Sequence, residues 1–106
     1  MSIKDERTAS LLVHLAGNYI AREAGRETLI TPTRAELGND RNAVIYVSVF
    51  PDEHMDHALL FLSRHTEQFR AYLKKESRFS FLPRVTFAAD LGEKHRQHLD
   101  DISRGL

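Results

Sequence analysis

The second half of the chain carries basic side chains at a spacing suited to binding phosphate groups. Arg70, Lys74 and Arg78 recur at four-residue steps, which would place them on one face of a straight helix. Further cations complete the candidate set: Arg64, Lys75 and Arg84. Such a surface could neutralise several phosphates of an RNA without reading its bases. A solvated helix face explains the same pattern, because cations are also favoured near a helix C-terminus.

Histidine pairs at three-residue spacing are the second group that could do chemistry. His54 and His57 form one pair, and His95 and His98 form another. Two histidines at this spacing can share a metal ion from one helix face, but zinc needs further ligands. The H-E-x-x-H pattern of zinc proteases is missing from the sequence. A polar helix start and a polar tail explain the pairs, so we expect no metal site and no cofactor.

Groups typical of an active site are missing from the sequence. The 106 residues include no cysteine, which excludes disulfides, cysteine-ligated zinc and thiol nucleophiles. There is no G-x-S-x-G motif, no P-loop and no dinucleotide fingerprint. Carboxylate pairs such as Asp100 and Asp101 lie in a polar tail. These observations favour a protein that works by binding and not by catalysis, with no small-molecule substrate.

Aromatic residues near the candidate cations offer another mode of RNA contact. Phe79, Phe81 and Phe87 could form a platform on which bases stack. Residues that alternate at spacing two on a strand more often face the core, and we expect that here. Tyr46 is a better candidate for an aromatic residue at the surface.

Composition limits the kinds of partner. Fifteen basic residues balance fifteen acidic ones. An RNA-binding protein usually carries an excess of Lys and Arg, so any basic footprint must be local, and a protein partner is equally natural. The N-terminus does not have the pattern of a signal peptide. The longest apolar runs are about five residues, well below the ~20 of a membrane span, so we expect a cytoplasmic protein without a membrane partner.

The first half of the chain reads as a helix followed by a hairpin. Apolar residues at helical spacing predict a helix from Thr8 to about Gly25, with Gly17 in its middle, where a close packing contact or a kink could explain it. A strand is predicted over Thr28–Leu37, in which Pro32 must lie at an edge or a bulge. A polar turn leads into the clearest strand, Ala43–Phe50, which makes an antiparallel hairpin with the first.

The second half reads as a long helix and a third strand. Asp52 is a good N-cap for a helix over residues 53–77. A strand is predicted over residues 79–88, and a short closing helix over residues 93–103. The strand–helix–strand unit needs a right-handed crossover, which places helices on one face of the sheet. The expected fold is therefore one two-layer α+β domain over residues 1–106, with a three-stranded mixed sheet.

This order and several segments resemble the ribosome-binding factor A family, whose fold is KH type II-like. Residues 43–50, AVIYVSVF, are similar to the family's A-K-V-Y-V-hydrophobic strand. Residues 78–90 are similar to its R-hydrophobic-x-x-x-P-x-L-x-F-x-x-D segment, and Phe69-Arg70 resembles the helix before it. The resemblance covers about Arg7 to Ile102. It implies a monomeric assembly factor that binds the small ribosomal subunit and its rRNA, assists late maturation and processing of that rRNA, and uses the six cations as phosphate contacts.

The chain departs from the family at one functional element. The family interrupts its long helix with Ala-x-Gly, which corresponds to His65-Thr66-Glu67 here. A glycine allows the chain to bend or a phosphate to approach the backbone, and glutamate does neither. Whether the long helix bends here therefore stays open. The neutral charge and Glu67 also keep an alternative open, a KH-like protein–protein adaptor that has lost RNA binding.

Overall fold

A computed structural model of the protein describes residues 3–79 and 81–92. Its helices and strands follow in the order α1 (Ile3–Glu23), β1 (Leu29–Leu37), β2 (Asn42–Phe50), a 3-10 turn (Asp52–His54), α2 (Met55–Arg64), α3 (Thr66–Glu76) and β3 (Arg84–Ala89). The predicted closing helix over residues 93–103 lies outside the described residues.

Helix α1 begins at Ile3, before the predicted start at Thr8, and ends at Glu23. Asp5 and Glu6 lie in its first turn, where negative charge favours a helix N-terminus, and this explains the earlier start. A Cβ atom at Gly17 would meet nothing within 4 Å, so no close contact requires a glycine there.

The hairpin of β1 and β2 forms as predicted, in an antiparallel register. The register shifts between Pro32 and Arg34, so the proline lies beside a bulge on an edge strand, as its missing N–H requires. Alternate residues of β2 from Ala43 to Val49 are buried. In the turn between the strands, Arg41 has a φ of 61°, in the left-handed region.

Strand β3 starts later than the sequence pattern predicts. The prediction of a strand from Phe79 is wrong, because the pairing begins only at Arg84, directly after Pro83. The Arg84 N–H donates to the Arg41 carbonyl at 2.8 Å, and β3 then runs parallel to β2. Phe79 and Phe81 are not part of a strand, so alternation on a strand does not decide whether they are buried.

The sheet has the order β1-β2-β3, and the helices cover one of its faces. Phe69 and Leu73 of α3 are fully buried against Leu12 of α1 and Ile45 of β2. Ala58 and Leu62 of α2 belong to a second buried cluster around Val47 and Val49. The predicted two-layer α+β fold with a mixed three-stranded sheet is confirmed. None of the described helices covers the other face of the sheet, which we call the open face.

The predicted long helix is interrupted. Asp52 is not its N-cap but part of the 3-10 turn, and no side chain caps α2, which starts at Met55. Helix α2 ends where the His65 N–H reaches the carbonyls of both Phe61 and Leu62 at 3.1 Å. Because His65 has φ −101° and ψ 6°, an ordinary conformation for a residue with a side chain, the interruption needs no glycine.

Candidate nucleic-acid interface

A groove runs between the α2–α3 junction and the outer edge of β3. It has a volume of about 250 Å³ and is lined by Leu59, Ser63, Thr66, Val85, Thr86 and Phe87. We call it the β3 groove. Among the described strands β3 is an edge strand, so backbone N–H and C=O groups on its outer side have no ladder partner. The groove therefore combines apolar walls with backbone groups that can bind an extended chain.

The junction that forms one wall is held by a contact to α1. The Tyr19 hydroxyl lies 2.9 Å from His65 Nδ1, and the His65 ring lies 4.2 Å from the Phe61 ring, centroid to centroid. Tyr19 is buried, and this burial, with a smaller effect of the Glu23 charge, raises the pKa of its phenol. The phenol therefore stays neutral to a higher pH than an ordinary tyrosine does.

The Thr66 side chain helps to end helix α2, a role that glycine often has at other helix ends. Its hydroxyl donates to the carbonyls of Leu62 and Ser63, at 3.1 and 3.2 Å. These carbonyls belong to the last turn of α2, whose acceptors lack intrahelical partners. Helix α2 thus ends with the Thr66 hydroxyl bonded to its last carbonyls and with His65 outside the helical conformation. A glycine in the left-handed conformation is not needed.

Three arginines are linked through hydrogen bonds to the backbone where the chain enters β3. Arg70 Nε donates to the Pro83 carbonyl at 3.2 Å, and Arg84 is joined to Arg41 through the 2.8 Å backbone hydrogen bond. We call Arg41, Arg70, Arg84 and Pro83 the Pro83 corner. The corner adjoins the β3 groove, because Val85 follows Arg84 directly.

The Pro83 corner is a local excess of positive charge. Arg41 and Arg84 are exposed, and neither forms an ion pair within the part of the chain that the structure describes. Arg70 is half-buried and lies 3.8 Å from the carboxylate of Glu67. The Pro83 corner thus gathers three arginines and one opposing carboxylate, that of Glu67, in one region of the surface.

The remaining predicted cations do not share one face. Seen along α3, Lys74 lies about 40° from Arg70, whereas Lys75 lies about 140° away. Lys75 lines a surface pocket between α3 and α1, and Arg22 and Tyr72 line the same pocket.

Two more of the predicted cations lie outside α3. Arg64 ends α2 and lines a separate hollow with His57, Leu60 and Phe61, and Arg78 is exposed in the link after α3. The alignment of Arg70, Lys74 and Arg78 required a straight helix through Arg78, and this condition is not met, because α3 ends at Glu76. Arg70 reaches the Pro83 carbonyl, next to Arg84 in the chain, Lys74 lies one helical turn from Arg70, and RNA contact by all six stays a prediction.

Arg41 was missed from the sequence, and Phe81 was named as a stacking candidate but expected to face the core. The Arg41 guanidinium lies 4.0 Å from the centroid of the Phe81 ring, and Phe81 is 64% exposed. The prediction that Phe81 faces the core is wrong, while Phe79 and Phe87 do pack against the core. The sequence did contain a signal for Arg41. A third strand that pairs in parallel with β2 must begin beside the hairpin turn that precedes β2, and Arg41 lies in that turn.

The open face of the sheet offers a weaker site for phosphate. Tyr46 is half-buried, and the Arg34 guanidinium covers its ring at 3.7 Å. Arg34 also binds Glu36, which raises the pKa of its guanidinium, and it lies 4.0 Å from Asp90. Because its own carboxylates already neutralise this arginine, the open face attracts anions less than the Pro83 corner does.

The first histidine pair does not converge on a metal. His54 Nδ1 lies 2.6 Å from the Thr28 hydroxyl, in a hydrogen bond across the start of β1. Among the residues placed by the structure, no cluster of three or more His, Asp or Glu side chains could hold a metal ion. His95 and His98 lie outside the described residues. No helix in the described part of the chain is long and apolar enough to cross a membrane.

The mixed sheet, the helices on one face and the interrupted helix before β3 define a KH-type fold. This fold is similar to the crystal structure of ribosome-binding factor A from Thermus thermophilus, with a TM-score of 0.71 and 25% identity over 80% of this chain and 93% of that one. It is also similar to the solution NMR structure of a Thermotoga maritima protein provisionally assigned as a ribosome-binding factor A, with a TM-score of 0.70 and 24% identity over 87% and 92%. Neither a protein-family model nor a curated protein sequence matches the chain. The protein is thus ribosome-binding factor A-like, and the resemblance drawn from its sequence is confirmed.

Proposed function

We propose that this protein is a ribosome assembly factor that binds the small ribosomal subunit and assists late maturation of its rRNA. It would act by binding and not by catalysis, as a monomer in the cytoplasm. The fold it shares with a ribosome-binding factor A supports the ribosomal role. The observation that carries the RNA contact is the Pro83 corner at the end of the β3 groove.

Phosphate binding by the corner needs no excess of charge over the whole chain. Arg41 and Arg84 are exposed and form no ion pair in the described structure, and Lys74 is exposed one helical turn beyond Arg70 on α3. An RNA backbone lying along the β3 groove would place its phosphates next to them, displacing counterions. The outer edge of β3 would offer N–H and C=O groups to the same strand. By stabilising one rRNA conformation, the protein would shift the population of maturing subunits toward it.

Glu67 would weaken this contact without preventing it. It is 84% exposed at the start of α3, and its nearest cation is Arg70, at 3.8 Å. A carboxylate at this position repels phosphate, in the place where the family carries a glycine. The expected contact is therefore with phosphates near Pro83 and not with the α2–α3 junction itself.

Sedimentation of a cell lysate through a sucrose gradient tests the proposal. Wild-type protein should travel with free small subunits. The test variant, Lys74→Gln with Arg84→Gln, should stay near the top of the gradient, because Arg84 belongs to the Pro83 corner and Lys74 lies one helical turn beyond Arg70. Its matched control, Arg64→Gln with Lys75→Gln, removes the same charge from other surfaces and should still sediment with the subunit. Equal loss in the two double variants would reject the Pro83 corner, and wild-type protein that never meets the subunit would reject the assembly role.

A protein–protein adaptor is the second candidate, and one feature favours it. Leu29 and Phe50 are paired across β1 and β2 at the open face, and they are 65% and 71% exposed. Exposed apolar neighbours of this kind are frequent in protein interfaces. An affinity that hardly changes with salt, for a protein partner recovered without RNA, would select this function. Replacement of Leu29 by Ser should then weaken binding more than replacement of Arg84 by Gln.

A further inference from the structure

We infer that Phe81 and Arg41 form a stacking site for one unpaired base of the bound RNA. The inference rests on the proposed function, which it deepens by adding a base contact to phosphate contacts. Its basis is the exposed Phe81 ring with the Arg41 guanidinium 4.0 Å from the ring centroid, next to the Pro83 corner.

Phe81 lies at the surface although nearby aromatic residues do not. Phe79 is half-buried and Phe87 packs against both core clusters, whereas Phe81 is 64% exposed. Most of the Phe81 ring therefore remains accessible beside the guanidinium. Exposed aromatic rings in RNA-binding proteins stack on bases that are splayed out of single-stranded segments.

The backbone conformation of Arg41 is an unfavourable one for an arginine. Its φ of 61° lies in the left-handed region, which Asn or Gly adopts at a lower cost. The guanidinium plane can lie against an aromatic ring and a base and can also bind phosphate through its N–H groups. An arginine at this point of the turn thus supplies both kinds of contact to the same nucleotide.

Charge around the ring favours RNA over a protein partner. Arg84 is joined to Arg41 through the backbone, and Arg70 holds the Pro83 carbonyl nearby. The acidic neighbour in the turn is Asp40, which is exposed. An exposed aromatic ring with a guanidinium group against it, in a region with two further arginines, matches the platforms on which single-stranded nucleic acids stack, since every base has an aromatic face.

Tryptophan fluorescence provides a direct test, because the chain contains no tryptophan. The Phe81→Trp variant places a reporter in the site, and Phe50→Trp is the matched control at another exposed phenylalanine, 71% exposed. The probes are a short single-stranded oligoadenylate and an abasic oligonucleotide of the same length. We expect oligoadenylate to quench Phe81→Trp strongly, the abasic probe to quench it weakly, and neither to quench Phe50→Trp.

Affinity measurements with the same probes separate stacking from a general apolar contact. Phe81→Leu keeps an apolar side chain but removes the aromatic face, so it should lose about tenfold in affinity for oligoadenylate, close to the loss in Phe81→Ala. Both variants should bind the abasic probe as the wild type does. Their urea midpoints should match the wild type, since the side chain they replace is largely exposed.

The outcomes separate this inference from the proposed function. Salt-dependent RNA binding with equal quenching at positions 81 and 50 would overturn the stacking site and leave the phosphate contacts intact. Full affinity in Phe81→Leu would overturn it in the same way. Wild-type protein that binds neither RNA nor the small subunit would overturn both proposals together.

Discussion

The hydrogen bond between Tyr19 and His65 should contribute measurably to the stability of the interrupted helix. The Tyr19→Phe substitution removes only the hydroxyl, because the ring is 4% exposed and keeps its packing. The bond is 2.9 Å long and partly buried, so its loss should lower the free energy of unfolding by about 1 kcal/mol. For a domain of this size that corresponds to a fall in Tm of roughly 4–8 °C. His65→Ala should cost more, because it also removes the contact with the Phe61 ring.

Urea unfolding of Tyr19→Phe, His65→Ala and the double variant gives a double-mutant cycle. The cycle measures the interaction energy between the two side chains. We expect a coupling of about 1 kcal/mol between positions 19 and 65, with unchanged dependence on urea concentration. Tyr72→Phe is the matched control. Its ring lies 5.6 Å from that of Tyr19, but its hydroxyl has no hydrogen-bond partner among the described residues. A coupling below about 0.3 kcal/mol, or equal losses in Tyr19→Phe and Tyr72→Phe, would refute the role assigned to this contact.

Three further expectations concern the same helices. Glu67→Gly should lower the free energy of unfolding by about 1 kcal/mol relative to Glu67→Ala in urea titrations, because glycine is a poor helix former and the interruption at His65 does not need one. Gly17→Ala should raise the free energy of unfolding by up to about 1 kcal/mol, since the added Cβ meets nothing within 4 Å; a loss of stability would show that α1 needs its glycine. Stability should fall as the pH rises above 10.0, the ordinary pKa of tyrosine, because the raised pKa of Tyr19 makes the unfolded chain release its proton first. Urea midpoints on either side of that pH should then change less in Tyr19→Phe than in the wild type.

The hairpin and the mixed sheet could be predicted because their signals are local. The dense β-branched and aromatic run of Ala43–Phe50 specifies a strand wherever it lies. Pro32 lacks an N–H and so specifies an edge or a bulge without knowledge of any partner. Helix α1 was equally predictable from its apolar spacing, and only its first turn was missed.

The helix interruption and the grouping of the cations could not be predicted, because both depend on distant contacts. His65 ends α2 in contact with Tyr19, which is 46 residues away along the chain. The prediction treated the four-residue spacing from Arg70 to Arg78 as helical throughout. Because α3 ends at Glu76, helical geometry does not apply to Arg78. Phe81 was assigned to a strand that begins only after Pro83.

The salt dependence of RNA binding follows from how the neutral chain distributes its charge. Arg34 and its carboxylate neighbours largely cancel one another on the open face, while Arg41 and Arg84 keep their charge available at the Pro83 corner. With Arg70 and Lys74 included, the proposed RNA contact uses four cations, which limits the slope of log K against log salt to about −3. A slope near −6 would require the cations on other surfaces, such as Arg64 and those beside α1, to contact RNA as well. It would also imply that the protein is wrapped by rRNA, and a single groove could not then account for binding.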